Sequence, residues 1–305
     1  MIPDQVRLHV SPSQIFSGLA KPFTEAKYVV LGVPFDRTST YRAGSKFGPS
    51  AIRDASLNIE TYSVRSKFDL EDAPICDIGD LHAVDIVDET LRRLTEVEAH
   101  LVAASKVPVV LGGEHTISLG AIVSFPKDVG VVCFDAHADM RDEYMGEKIT
   151  HATFLRRVIE KIGPEKVVHV GLRAFCKEEL AFIEKNRVKH FPMHDLKRHS
   201  VREAARLVRA ATSDLKRLYV TIDIDVLDPG FAPGTGNPEP DGMSPDLCLS
   251  LLARVCDERL IGFDVVEVSP HYDTGITAVL AAKILFEAIC AAEASRPRAR
   301  QTRLS

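Results

Sequence analysis

Three segments of the chain place acids and imidazoles at spacings that suit metal chemistry. Asp135, His137 and Asp139 alternate with alanines directly after the apolar run VVCF (131–134). Residues two apart on extended chain point to the same side, so three potential ligands project together from a strand end. Groups of this kind crowded together are costly without a cation to offset their charge. Asp223 and Asp225 repeat the spacing after LYVTI (218–222), and Asp228-Pro229-Gly230 then turns the chain. Asp228 reads as a turn residue rather than a ligand. The third segment is Gly112-Gly113-Glu114-His115 after VPVVL (107–111), where the glycines permit a tight turn from strand to helix. Each segment alone has a plainer reading, as a polar loop, a solvated strand end or a structural histidine. Together they offer six ligands, His115, Asp135, His137, Asp139, Asp223 and Asp225. Two histidines and four aspartates suit a pair of hard to borderline divalent ions, and no thiolate, which would favour zinc, stands in any cluster. Carboxylates that bridge two ions about 3.5–4 Å apart create a shared, activated water. Manganese is the first choice, and zinc, iron, cobalt or nickel would also accept this ligand set.

Two further residues stand where a site would need them. Glu267 follows the run FDVV, so it projects from a strand end as a site residue or as a salt-bridged rim carboxylate. His151 immediately precedes a helical pattern, where it could cap the helix, lie on the surface or shuttle protons near neutral pH.

The elements that must position these residues are legible as short apolar runs alternating with longer helical patterns. The runs cover 28–33, 107–111, 131–134, 167–170, 218–222 and 260–266, and the helical stretches 88–105, 151–161, 201–215, 245–259 and 276–294. Continuous β-branched runs predict strands buried on both faces. Strand–helix alternation predicts one α/β domain, a mainly parallel sheet sandwiched by helices, over residues 1–295. Such sheets place function outside the carboxyl ends of their strands, where all three clusters fall.

The chain has 305 residues and a formal net charge of -5, so no global positive field would attract nucleic acid. The basic run from Arg296 reads as a solvated C-terminal tail, 296–305, expected to be disordered. Six cysteines show no paired spacing, which fits a reduced, cytoplasmic setting, and Cys133 reads as a small buried hydrophobe. Neither a secretory signal nor an apolar stretch near ~20 residues is visible, so no membrane role is expected.

The chain resembles the ureohydrolase superfamily of arginases and agmatinases, most closely the archaeal-type agmatinases. The resemblance is carried by GGEHTISLG (112–120), FDAHADMRDEY (134–144) and TIDIDVLDPGFAPGTGNPEPDGMS (221–244), with support from 32–53 and 265–282. It covers nearly the whole chain and implies an arginase-like fold, two manganese ions and a homo-oligomer, trimer or hexamer. One ion would be held by His115, Asp135, Asp139 and Asp223, the other by His137, Asp135, Asp223 and Asp225. The resemblance also implies that water shared by the ions attacks a guanidinium carbon. Asp139 would orient that water, Glu267 would pair with the substrate guanidinium and His151 would relay a proton to the departing amine.

Arginases carry an asparagine two residues after the last acid of the D-x-H-x-D motif, and this chain has Arg141 there. Agmatine, cleaved to putrescine and urea, therefore ranks first, ahead of aminopropylagmatine, guanidinobutyrate and arginine. Asp142 and Glu143 could attract an ammonium tail or be ordinary loop charges; Arg141 could favour a carboxylate tail or point away, paired with an acid. Two other classes stand beside these. One is a non-catalytic metal-binding or regulatory homologue, against which the complete ligand set argues. The other is an amide deacetylase, against which Glu267 argues.

Overall fold

The computed structural model describes residues 2–296. The anticipated basic tail lies outside the described residues apart from Arg296. The apolar runs become the centre of a nine-stranded sheet. Its order is Val10–Ser11, Ile75–Leu81, Tyr28–Gly32, Val107–Leu111, Leu260–Val266, Leu218–Asp223, Gly130–Phe134, Val167–Leu172 and Lys189–Pro192. All neighbours pair in parallel except the edge strand Val10–Ser11, which runs antiparallel to Ile75–Leu81. A small antiparallel pair, Tyr62–Ser63 with Phe68–Asp69, stands apart.

Helices cover both faces, as the continuous apolar strands require. One face packs against Gly48–Ser56, Val201–Ala211, Pro245–Val255 and Ile276–Ala294. The other packs against Val87–Ala103, Ile117–Ile122, Phe154–Ile162 and Ile183 of Lys177–Asn186. Among the described residues no helix is long and apolar enough to cross a membrane.

Three differences from the sequence reading have physical causes. Strand Ile75–Leu81 was not anticipated because Asp77 and Asp80 break its apolar run. Both acids serve the fully buried Arg53, whose Nε and Nη2 donate to Asp77 at 2.8 and 3.0 Å and whose Nη1 donates to Asp80 at 2.5 Å. The edge strand Lys189–Pro192 is short and half-exposed, so it lacks the buried signature. The helix expected from His151 begins at Phe154, which frees His151 from a capping role.

The order of strands creates the site. The chain leaves Val107–Leu111 and returns as Gly130–Phe134, three positions away, with Leu260–Val266 and Leu218–Asp223 later filling the gap. The carboxyl ends of these four adjacent strands face a single crevice, as expected where strand order switches in an open α/β sheet.

Candidate metal centre

The turn after Val107–Leu111 decides where His115 goes. A Cβ at Gly113 would lie 1.9 Å from the Phe35 carbonyl oxygen, so only glycine lets the chain pass. Glu114 then turns inward and accepts the backbone N–H groups of Thr38 and Ser39 at 2.6 and 2.9 Å. His115 is buried and stacked on Phe154, with ring centroids 3.9 Å apart. Its Nε2 meets Thr221 Oγ1 at 2.9 Å.

The other imidazole nitrogen faces acids. His115 Nδ1 lies 3.1, 3.2 and 3.6 Å from carboxylate oxygens of Asp135, Asp223 and Asp139. Beside this group, His137 Nδ1 lies 2.9 Å from Asp225 Oδ2 and 3.7 Å from Asp135 Oδ1. Asp135 stands between the two clusters. The backbone locks the acids in place: Asp135 Oδ1 accepts from His137 N–H, Asp223 Oδ1 from Asp225 N–H and Asp225 Oδ1 from Ala136 N–H. All six residues named from the sequence therefore converge.

The donor set fits divalent cations. His115 Nδ1 and Asp135 Oδ2 are both buried, and neither makes an aligned hydrogen bond despite their 3.1 Å separation. Lone-pair atoms aimed at one point call for a positive body between them. The electrostatics agree. Burial opposes charge on His115, but Asp135 and Asp223 outweigh it and raise the pKa well above the usual range. The acids thus call for a positive body at Nδ1, a proton or, once bound, a metal ion that replaces it. Burial and the charge of Asp135 raise Asp139, while burial, Asp225 and Asp135 raise Asp223. One correction to the ligand chemistry comes from the register of the sheet. The buried Cys133 thiol lies within 4.8 Å of ligand atoms of His115 and Asp135, so a sulfur does stand beside the cluster. Burial, then the nearby aspartates, raise its pKa well above the ordinary value, which keeps it a neutral thiol.

Glu267 and His151 line the same cavity, of about 330 Å³, as His137, Asp139, Asp223 and Asp225. Glu267 Oε1 accepts from His115 N–H at 2.8 Å. Burial, followed by the nearby Glu114, pushes its pKa up to about 8. Asp139 and Glu267 both adopt left-handed backbone, with φ of 52° and 63°. Non-glycine residues seldom hold that conformation unless their surroundings impose it, and such strain concentrates at functional sites. His151 is held by Thr38, whose Oγ1 lies 3.2 Å from Nδ1 and accepts the His151 N–H at 3.0 Å. Burial and the charges of His137 and His115 bring His151 down to about 4, below the near-neutral titration expected from its type. Asp228 is a turn residue, accepting from Gly230 and Gly242 N–H at 2.9 Å each.

Residues 26–291 match the sequence model of the Arginase family. The chain belongs to the arginase family. It is a hydrolase acting on guanidino compounds, in a family of binuclear metal enzymes. Among relatives, it is 36% identical to the agmatinase of Bacillus cereus over 87% of this chain and 91% of that one. It is equally 36% identical to the N(1)-aminopropylagmatine ureohydrolase of Thermococcus kodakarensis, over 87% and 90%. The crystal structure of agmatine ureohydrolase of Thermoplasma volcanium matches with a TM-score of 0.86 at 36% identity, covering 96% of this chain and 98% of that one.

The loop charges divide by whether they reach the cavity. Asp142 pairs with Lys148 and Arg157 at 2.6 and 2.9 Å, and Glu143 is exposed with Lys148 at 3.9 Å. Neither lines the cavity. Arg141 does, but its Nε lies 4.0 Å from Glu179 and its guanidinium sits over Tyr144. Glu239 also lines the cavity; Arg173 Nη2 donates to its backbone carbonyl at 2.8 Å, and its carboxylate makes no ion pair among the described residues. Sequence reasoning missed Thr38, Phe154 and Asp264; of these only Asp264 carried a signal, as an acid inside the buried run 260–266. Glu239 falls in 234–241, a Gly- and Pro-rich stretch that reads as a wall of the site mouth without showing which side chain faces it.

Proposed function

We propose that this protein hydrolyses agmatine to putrescine and urea at a manganese pair held by His115, Asp135, His137, Asp139, Asp223 and Asp225. The observation that carries the reading is the bare His115 Nδ1 ringed by three carboxylates, with Glu267 on the wall of the same cavity. Divalent ions bound there supply Lewis-acid charge and lower the pKa of a water into the neutral range. Glu267 receives the planar guanidinium with its carboxylate, where paired N–H donors match paired oxygens. Asp139 orients the attacking water over the guanidinium carbon. His151, brought down to about 4 and so neutral at pH 7, relays a proton from the attacking water to the departing amine without holding it. Overall, guanidinium and water give urea and an alkylammonium ion.

The charges near the cavity mouth favour a cationic tail. Arg141 lies 4.0 Å from Glu179 and over the Tyr144 ring, while the Glu239 carboxylate lines the cavity with no ion pair among the described residues. The nearby Arg173 is spent on backbone carbonyls that include Glu239's own. A carboxylate tail such as that of guanidinobutyrate would meet Glu239 as a like charge. The same reading takes the protein as a cytoplasmic trimer or hexamer, which light scattering on the purified protein measures. Urea release from agmatine, aminopropylagmatine, guanidinobutyrate and arginine tests the substrate. Agmatine should give the highest kcat/KM, and a carboxylate-tailed compound in first place would reverse the reading of Arg141 and Glu239.

A further inference from the structure

One register step beneath the ligands, the sheet carries a row of polar side chains that the reaction does not use directly. His169, Cys133, Thr221 and Asp264 stand opposite one another on four adjacent parallel strands, each with 0% exposure. Registered partners in a parallel sheet share a face, so the row lies under Asp135 and Asp223. Polar groups buried this completely need partners.

Those partners form a chain that ends at the metal centre. Thr221 Oγ1 donates to Asp264 Oδ1 at 2.6 Å, and Tyr219 Oη donates to Asp264 Oδ2 at 2.7 Å. Ser118 Oγ, at 3.2 Å from Thr221, is a more distant neighbour of the same hydroxyl. A hydroxyl has one proton, so once Thr221 gives it to the acid, only a lone pair is left for His115 Nε2 at 2.9 Å. His115 must then carry its proton on Nε2, which leaves Nδ1 bare toward Asp135, Asp139 and Asp223. Glu98 approaches from the covering helix Val87–Ala103 with neither carboxyl oxygen hydrogen-bonded. Burial and the charge of Asp264 raise its pKa well above the ordinary value. Burial raises Asp264 too, while His115, Thr221 and Tyr219 work against that rise.

We propose that Asp264, acting through Thr221, is a positioning residue that fixes the His115 tautomer and thereby sets the affinity of the metal site His115 serves. The proposal rests on the metal-centre reading above. Partners behind a ligating histidine orient the ring and raise its basicity, and losing one typically costs about 10–100-fold in metal affinity.

The test titrates manganese into the full-length chain and into Asp264→Asn, Thr221→Val and Thr221→Ser, following stoichiometry and the EPR signal of the coupled ion pair. Asn can donate to Thr221 and turn its hydroxyl toward His115, whereas Val removes the acceptor altogether. In both variants one of two manganese equivalents should weaken about 10–100-fold while the other holds, and the coupled-pair signal should give way to that of a single ion. Thr221→Ser should behave as wild type, a rescue that loss of packing would not produce. Binding of both equivalents within twofold of wild type in Asp264→Asn and Thr221→Val overturns the proposal. So does equal weakening of both equivalents, or failure of serine to rescue. Wild-type protein that binds fewer than two ions overturns the metal-centre reading itself, and that result is visible before any variant is made.

Discussion

Glu267→Gln separates substrate recognition from metal binding. Glutamine keeps the volume of the buried side chain and retains an oxygen to accept the His115 N–H, now met at 2.8 Å. The loop should therefore keep its strained left-handed turn, and the metal ligands their places. What disappears is a nearly buried carboxyl, pushed up to about 8 in the free site, that ionises against a bound guanidinium. A buried charge left without its counter-charge costs about 2–5 kcal/mol, and a hydrogen bond to a charged group about 1.5–3 kcal/mol. A loss of about 2–4 kcal/mol corresponds to roughly 30- to 900-fold in kcat/KM. The assay is urea release from agmatine with manganese saturating, beside a metal count on the same preparation. The variant should bind two ions and lose activity in that range. Loss of a metal, or kcat/KM within threefold of wild type, would refute the role given to Glu267.

Three further perturbations probe the centre and its support. Asp135→Ala or Asp223→Ala removes an acid that faces His115 Nδ1 and should abolish both turnover and binuclear loading, measured by metal content and urea release. Arg53→Met strands the buried Asp77 without its counter-charge and should lower the unfolding free energy by about 3–5 kcal/mol, read by denaturant titration. His169, which meets the His137 carbonyl oxygen through Nε2, is brought down to about 4 chiefly by burial. Above pH 6.5 both folded and unfolded states leave it neutral and it contributes nothing. Between pH 6.5 and 4 the unfolded chain takes up a proton that the native state refuses, so stability falls with pH, by about 3 kcal/mol in all for this group. His169→Gln should flatten that slope by about one proton across the window, as denaturant titrations at successive pH values would reveal.

The ligands were legible because each cluster is local. Asp135, His137 and Asp139 follow a buried run at alternate positions, and a strand end fixes where such residues point without knowledge of the partner strands. The strands themselves were legible wherever they are buried on both faces. Ile75–Leu81 was hidden because its acids answer Arg53, a residue on a distant helix. The supports of the site were hidden for the same reason. Phe154 under His115, Thr38 on His151 and the Cys133–Thr221–Asp264 row are set by strand register and by the meeting of separate turns. The tail specificity shows the limit from the other side. Asp142 and Glu143 look available in the sequence, yet Lys148 and Arg157 occupy them, while the Gly- and Pro-rich stretch 234–241 reads as a wall of the site without showing that Glu239 is the side chain that faces the cavity.

The most direct test of the central claim is urea release from agmatine as manganese is titrated into metal-free protein. Activity should be absent without metal and should rise with the second equivalent bound per chain, because both clusters share Asp135. Full activity at one equivalent would contradict a binuclear centre, and no urea with two ions bound would contradict the proposed agmatine hydrolysis.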